Sequence, residues 1–271
     1  MRYLLLDGYN LMHRARFGMR NGDHYIIFNF FRSLRPLVEK FAPCKVVLFL
    51  EGSPTHRLQL DADYKANRAT VPGTKQHEEI LEFRKQKKTI ISLLQKLPVT
   101  IAKHDAVECD DLIGSWVQTH KDTSECIVVS TDTDYIQLLT HDNVKLYNPV
   151  RKEFVEPAPY DYITWKALRG DKTDNVPPLP GITDGKATKI CADPALLAEL
   201  RNDPIMSDLL DRNLQLIGFK QVCVTDPEYS QIDPTIDFDG LKQEFNSLQF
   251  FSITNKTSWP KYCATFAEVY K

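Results

Sequence analysis

Four short apolar runs mark out the first half of the chain, and acids follow each of them. Arg2-Tyr3-Leu4-Leu5-Leu6 ends in Asp7, and Lys45-Val46-Val47-Leu48-Phe49-Leu50 ends in Glu51. Pro98-Val99-Thr100-Ile101-Ala102 leads to Glu108 and Asp110, and Cys126-Ile127-Val128-Val129-Ser130 leads to Asp132 and Asp134. Short β-branched runs set between helical patterns read as buried parallel strands. Residues 29–39 have the periodicity of an amphipathic helix, and apolar residues at 80, 83, 90, 94 and 97 predict a long helix over 76–97. Another helix opens at Asp110. Strand and helix alternate to about residue 148, which predicts an α/β fold with a mainly parallel central sheet flanked by helices. Beyond Asp161, Pro177, Pro178, Pro180 and Gly181 punctuate short helical patterns. The expected division is an α/β core over 1–160 and a mainly helical region over 161–271 packed on the sheet. Phe28, Phe30, Phe31, Phe250 and Phe251 are expected in the core.

In parallel sheets, ligands sit beyond the carboxyl ends of the strands. Asp7, Glu51, Glu108, Asp110, Asp132 and Asp134 are therefore expected to converge. Asp132 and Asp134 are two apart, which puts both on one side of an extended segment. Glu108, Asp110 and Asp111 open a helix, where negative charge is favoured. Capping accounts for Asp111, whereas Glu108 and Asp110 are candidate ligands. Asp171 and Asp174, three apart, would share one face of a helical turn. Two carboxylates about 4 Å apart repel by roughly 4 kcal/mol at an effective dielectric near 20. A crowd of them needs divalent cations, and oxygen ligands suit Mg²⁺, with Mn²⁺ as a substitute.

Composition narrows the class. The net charge is −2, but nine Lys/Arg stand against three acids between Tyr64 and Lys103. A basic stripe beside an acidic pocket suits an enzyme acting on phosphodiesters. No run is long and apolar enough to span a bilayer, and the first apolar stretch is too short for a signal peptide. The six cysteines are scattered without a C-x-x-C pair, which points to reduced thiols in a cytoplasmic compartment. The histidines form no pair at metal spacing, and His13 and His104 are expected to be structural or solvent-facing. No Ser/His/Asp arrangement or P-loop is present. The polar stretch from Ser53 to about Lys88 is too long for an ordinary connection, which points to a function.

Five stretches in order over about residues 1–190 resemble the 5′-nuclease family: flap endonucleases, the 5′–3′ exonuclease domains of bacterial DNA polymerases, and phage 5′-exonucleases and ribonucleases H. They are Leu5-Leu6-Asp7-Gly8-Tyr9-Asn10, Tyr64-Lys65-Ala66-Asn67-Arg68, Glu108-Cys109-Asp110-Asp111, Ser130-Thr131-Asp132-Thr133-Asp134 and Gly170-Asp171-Lys172-Thr173-Asp174-Asn175. The lack of a polymerase region is that of a free-standing, phage-like member, which would act in the host cytoplasm.

The resemblance implies a structure-selective nuclease that cuts at or near 5′ ends and 5′-flap junctions of DNA, RNA–DNA hybrids at primers included. It implies a two-metal mechanism. One ion would be held mainly by Asp7, Glu51, Glu108, Asp110 and Asp132, and the other would lie nearer Asp132, Asp134, Asp171 and Asp174. Asp132 and Asp134 are the leading catalytic residues. The stretch 53–88 would form an arch or clamp, with Lys65 and Arg68 sharing a helix face to grip the scissile phosphate. Tyr64 would stack on a base, and Arg84 and Lys88 form one stripe towards DNA. A helix–hairpin–helix over about 168–192 would offer Gly181, Gly185 and Lys186 to backbone phosphates. Its Gly181-Ile182-Thr183-Asp184-Gly185-Lys186-Ala187 is one residue longer than the family's Gly-Ile-Gly-x-Lys-Thr-Ala, which argues against the potassium ion some relatives hold there. Glu51 stands where the family usually has Asp. The expected state is a monomer, with no protein partner identified. Two rival readings fit less of the pattern. A non-catalytic binder of branched DNA does not need the full acid set, and a small metal-dependent ribonuclease lacks the second basic stretch and the hairpin.

Overall fold

Leu4, Leu5 and Leu6 are each wholly buried. Successive strand residues face opposite sides of a sheet, so this unbroken run needs cover on both. Leu4 and Leu6 join one apolar cluster and Leu5 another. The run forms β1 (Arg2–Asp7), in the middle of a seven-stranded sheet in a computed structural model that describes residues 1–20 and 22–269. With it lie β2 (Lys45–Leu50), β3 (Thr100–His104), β4 (Glu125–Val129), β5 (Val144–Asn148), β6 (Glu153–Val155) and β7 (Tyr229–Ile232), in the order β6-β5-β4-β1-β2-β3-β7. Strands β1 to β5 run parallel, and β6 and β7 are antiparallel edges. β3 begins at Thr100 and not at the expected Pro98, because proline has no N–H to give a ladder.

The helices are α1 (Gly8–Ala15), α2 (Tyr25–Phe41), α3 (Thr55–Leu60), α4 (Lys75–Leu94), α5 (Cys109–His120), α6 (Tyr162–Arg169), α7 (Asp184–Ala192), α8 (Pro194–Arg201), α9 (Pro204–Ile217), α10 (Phe238–Ser247), α11 (Phe251–Thr254) and α12 (Ser258–Ala267). α2 outruns the expected 29–39 at both ends. Its first turn has no cap of its own; buried Gln86 of α4 accepts the N–H groups of Ile26 and Ile27 at 3.2 and 3.4 Å. α1, α2, α4 and α10 to α12 cover one face of the sheet, and α5 covers the other. α6 to α9 build a third cluster, which takes in Tyr64. Phe250 is core as expected, but Phe251 is 61% exposed.

The region after Asp161 is helical as far as α9. The chain then returns to the sheet as β7, an unexpected strand that covers the free edge of β3. Among the described residues no helix is long and apolar enough to cross a membrane.

Candidate active site

The carboxyl ends of β1, β2 and β4, the start of α5 and the turn after α6 open into one cleft of about 760 Å³. All eight predicted acids line it: Asp7, Glu51, Glu108, Asp110, Asp132, Asp134, Asp171 and Asp174. Asp7 does three jobs at once. It ends β1, it caps α1 by accepting the Asn10 N–H at 3.0 Å, and it receives the Ser130 hydroxyl at 2.8 Å. Asn10 and Thr131 interlock, with the Asn10 amide donating to the Thr131 hydroxyl at 2.8 Å and accepting the Thr131 N–H at 3.2 Å. This pins α1 to the turn after β4. Asp132 caps a 3-10 helix over Thr133–Thr140 and accepts the Asp134 N–H at 2.9 Å. A tight turn, and not the expected extended segment, thus brings Asp132 and Asp134 to one side.

The cleft carries its own cations. The Lys166 ammonium bridges Asp134 and Asp171, at 2.7 Å from the latter. Lys65 pairs with Glu108 and lies 3.6 Å from Asp174, which also pairs with Arg68. Arg57, wholly buried, pairs with Glu108 and Asp111 at 2.6 and 2.8 Å. Neither Lys166 nor Arg57 was singled out by sequence. The signal for Lys166 was a lysine on the buried side of α6, beside Ala167 and one turn before Gly170. Asp111 caps α5 as expected, accepting the Glu108 N–H at 3.2 Å.

These cations leave negative charge over. Burial first, and then Glu108, push the Glu51 carboxyl up to about 7. Burial and the neighbouring Asp132 push Asp134 up to about 6 against the pull of Lys166. Asp7 and Asp110 are raised chiefly by burial, with Asp132 and Asp111 respectively adding to it. Asp171 goes the other way. Its burial would raise it, but Lys166 and the Thr173 hydroxyl hold it at about 2.

Several expected placements are corrected. Tyr64 is only 4% exposed, so its ring faces no base; its hydroxyl lies 3.1 Å from Glu108 and 3.0 Å from Asp174. Lys65 and Arg68 share no helix face. Lys65 sits in the left-handed region at φ 56°, before a 3-10 turn over Ala66–Arg68, yet both side chains reach Asp174. Asp171 and Asp174 belong to no helical turn. Asp171 and Val176 form an antiparallel bridge, and Asn175 turns the chain at φ 60°. Arg84 and Lys88 are exposed on α4, but it is the half-buried Lys87 that reaches Tyr9 of the cleft lining, 5.7 Å from the centre of its ring. Tyr9 stacks on His13, and His13 meets Phe17 edge-on, so an aromatic ladder climbs α1 from the cleft. In the hairpin, Gly181 has φ 68°, Thr183 caps α7 through the Lys186 N–H, and the Lys186 ammonium folds back on the Gly181 carbonyl at 3.4 Å. A Cβ at Gly181 or Gly185 would meet nothing within 4 Å, so this turn is open to solvent.

The donor set fits hard divalent cations. The cleft offers carboxylate oxygens, and Asp134, Asp171 and Asp174 each place one within 4.8 Å of the others. Glu108 and Asp110 group in the same way with Asp111, whose oxygens are already spent on Arg57 and on backbone N–H groups. Crowded carboxyls with raised pKa values are those an added cation would hold ionised. A third group, His104 with Asp226 and Glu228, fits a metal poorly. The Nδ1 of His104 accepts the Ala106 N–H at 3.1 Å, so Nε2 carries the proton and faces Asp226 at 3.2 Å. That is a latch between the end of β3 and the turn before β7, not a metal ligand.

A family model for the 5′–3′ exonuclease N-terminal, resolvase-like domain matches residues 2–164. The chain is 29% identical over 213 residues to a 5′–3′ exonuclease of Halalkalibacterium halodurans, covering 68% of this chain and 67% of that protein. It is 28% identical over 232 residues to DNA polymerase I of Chloroflexus aurantiacus, covering 77% of this chain but spanning only 23% of the polymerase. The bacteriophage T5 flap endonuclease, solved as a pseudo-enzyme–product complex with DNA and metal ions, superposes with a TM-score of 0.70 at 17% identity over 99% of both chains. At that identity the likeness is one of fold.

Proposed function

Because this chain belongs to the family of the 5′–3′ exonuclease N-terminal, resolvase-like domain, we propose that it hydrolyses phosphodiesters at or near 5′ ends and 5′-flap junctions of DNA, using two Mg²⁺ ions. The observation that carries this reading is the meeting of eight carboxylates from distant segments in a single cleft. One ion would be held by Asp132, Asp134, Asp171 and Asp174, and the other by Asp7, Glu51, Glu108, Asp110 and Asp132. Such a pair of ions supplies an activated water and stabilises the leaving oxygen of an in-line displacement.

The chain's own residues do the rest. Lys65, Arg68 and Lys166 are tied to the acids that the ions would engage. Ions held by these carboxylates would compete with the three side chains, which would then be free to meet the non-bridging oxygens of the scissile phosphate. Lys65, held in its left-handed turn, and Arg68 grip that phosphate. The Tyr9–His13–Phe17 ladder, in place of Tyr64, offers ring faces to bases beside the cleft, a contact that tolerates any sequence. The open hairpin before α7, with Gly181, Gly185 and Lys186, and the exposed Arg84 and Lys88 bind the backbone at a distance from the cut. All eight acids come from one chain, so a monomer suffices. RNA–DNA hybrid 5′ ends are accepted because none of these contacts reads the sugar.

The test is Mg²⁺-dependent cleavage of 5′-flap, nicked, blunt and RNA-primed duplexes, with the products mapped. Cuts near the 5′ junction that need Mg²⁺ or Mn²⁺ are expected. Tight flap binding with no cleavage in either ion would sink the proposal.

A further inference from the structure

Arg57 is 1% exposed, and its guanidinium spends every N–H it has. Nε donates to the Leu216 carbonyl at 2.7 Å and Nη2 to that of Gly218 at 3.1 Å. Nη1 and Nη2 fork onto Asp111, each at 2.8 Å, and Nη1 also donates to Glu108 Oε2 at 2.6 Å. One buried side chain on α3 therefore ties the first turn of α5 to the end of α9. The chain separations, 51 to 161 residues, mean that no local preference could set this up. Asp111 is fully spent too, since it accepts the Lys220 N–H at 2.8 Å as well as that of Glu108.

The consequence falls on Glu108. Its Oε2 is turned inwards to Arg57, with the Tyr64 hydroxyl 3.1 Å away. Only Oε1 is left for the cleft, and there Lys65 meets it. Without Arg57, Asp111 would keep only the backbone N–H groups of Glu108 and Lys220, and Glu108 only Lys65 and the Tyr64 hydroxyl, so the two buried carboxylates would lose the one cation they share and Glu108 Oε2 its inward ionic partner. We propose that Arg57 is a positioning residue for metal binding: by holding Glu108 Oε2 and both oxygens of Asp111, it decides which oxygens at the start of α5 face an ion.

This rests on the two-metal reading of the cleft, and it gives a buried arginine distant from the scissile phosphate a measurable effect on ion affinity. Lysine cannot replace it, because a single ammonium cannot make the planar fork. Outer-shell partners of metal ligands typically tune affinity by about 10- to 100-fold.

The experiment is calorimetric titration of Mn²⁺ into the full chain, wild type against Arg57→Lys and Asp111→Asn. Arg57→Lys should weaken Mn²⁺ binding by roughly tenfold or more, and Asp111→Asn should weaken it less. Binding of 5′-flap DNA in EDTA should stay within about threefold of wild type. The loss in kcat should be partly regained at high Mn²⁺, with KM unchanged. A purely structural role predicts lower thermal stability with unchanged Mn²⁺ affinity, and that result would overturn the proposal. Should Arg57→Lys fail to fold by circular dichroism, wild-type Mn²⁺ affinity in Asp111→Asn alone overturns it. A wild-type protein that binds Mn²⁺ but cleaves no 5′-ended substrate refutes the nuclease reading and leaves Arg57's effect on Mn²⁺ standing.

Discussion

The two ends of the cleft solve the same problem by opposite means. At the Glu108 end, behind Lys65, the inward countercharge is a guanidinium with all five N–H groups committed, two of them to backbone carbonyls. At the Asp134 end it is the ammonium of Lys166, resting between Asp134 and Asp171. Arg57 cannot leave without stranding two buried carboxylates and two carbonyls. Lys166 can leave whenever another cation takes its place. A fixed counter-ion shapes the site, and an exchangeable one keeps its seat. Mutual repulsion among the acids therefore overstates how unstable the metal-free protein should be.

That contrast can be broken or sharpened in five ways, in falling order of effect. The double change Asp132→Asn/Asp134→Asn should cost roughly 10³-fold or more in flap cleavage, given about 10²–10³ for one preorganised electrostatic group. A native rate would remove the exchangeable end from catalysis altogether. Arg57→Met should destabilise by about 3–5 kcal/mol in denaturant titrations, since it strips a buried pair of one partner. The loss should persist at millimolar Mg²⁺; full recovery with Mg²⁺ would make Arg57 no different from Lys166. Gln86→Ala uncaps α2 on the opposite face of the sheet and should cost about 1–3 kcal/mol. Its kcat should be unchanged, which separates a stability hub from a site hub. Lys166→Met removes the competitor for Asp134 and Asp171, so the gain in stability on adding Mg²⁺ should exceed that of wild type by about 1.4 kcal/mol, a tenfold tighter site. An equal or smaller Mg²⁺ shift in melting would show that Lys166 is as fixed as Arg57. Lys186→Ala, remote from both ends, should lower the salt dependence of DNA binding by about one phosphate contact, with the cleavage position unchanged.

What could be read beforehand follows from the range of the interactions. Asp7, Glu51 and Asp132 were legible because they lie at, one residue past and three residues past a strand end, and a parallel sheet collects strand ends on one side. Asp171 and Asp174 reached the cleft by a route that spacing misread. A separation of three suits a helical turn, but the left-handed Asn175 and the Asp171–Val176 bridge make it a hairpin. Tyr64 failed differently. Sequence offers an aromatic ring without saying which part is used, and here the hydroxyl is what matters, with the ring packed against α6 to α9. Arg57 was hidden because its partners lie 51 to 161 residues away, and Lys166 because one of its two partners, Asp134, lies 32 residues away, separations that no window along the chain contains.

The return of the chain to the sheet after α9 has a further consequence. Leu241, Phe245, Trp259, Tyr262 and Phe266 share one core with α2, although all lie beyond residue 164, where the matched domain stops. The helices α6 to α9 are therefore a detour, anchored at both feet in the body that carries the acids. A fragment cut at residue 164 would bare the underside of α2 and leave β3 as a sticky margin. Such a piece should aggregate, however complete its domain looks on paper.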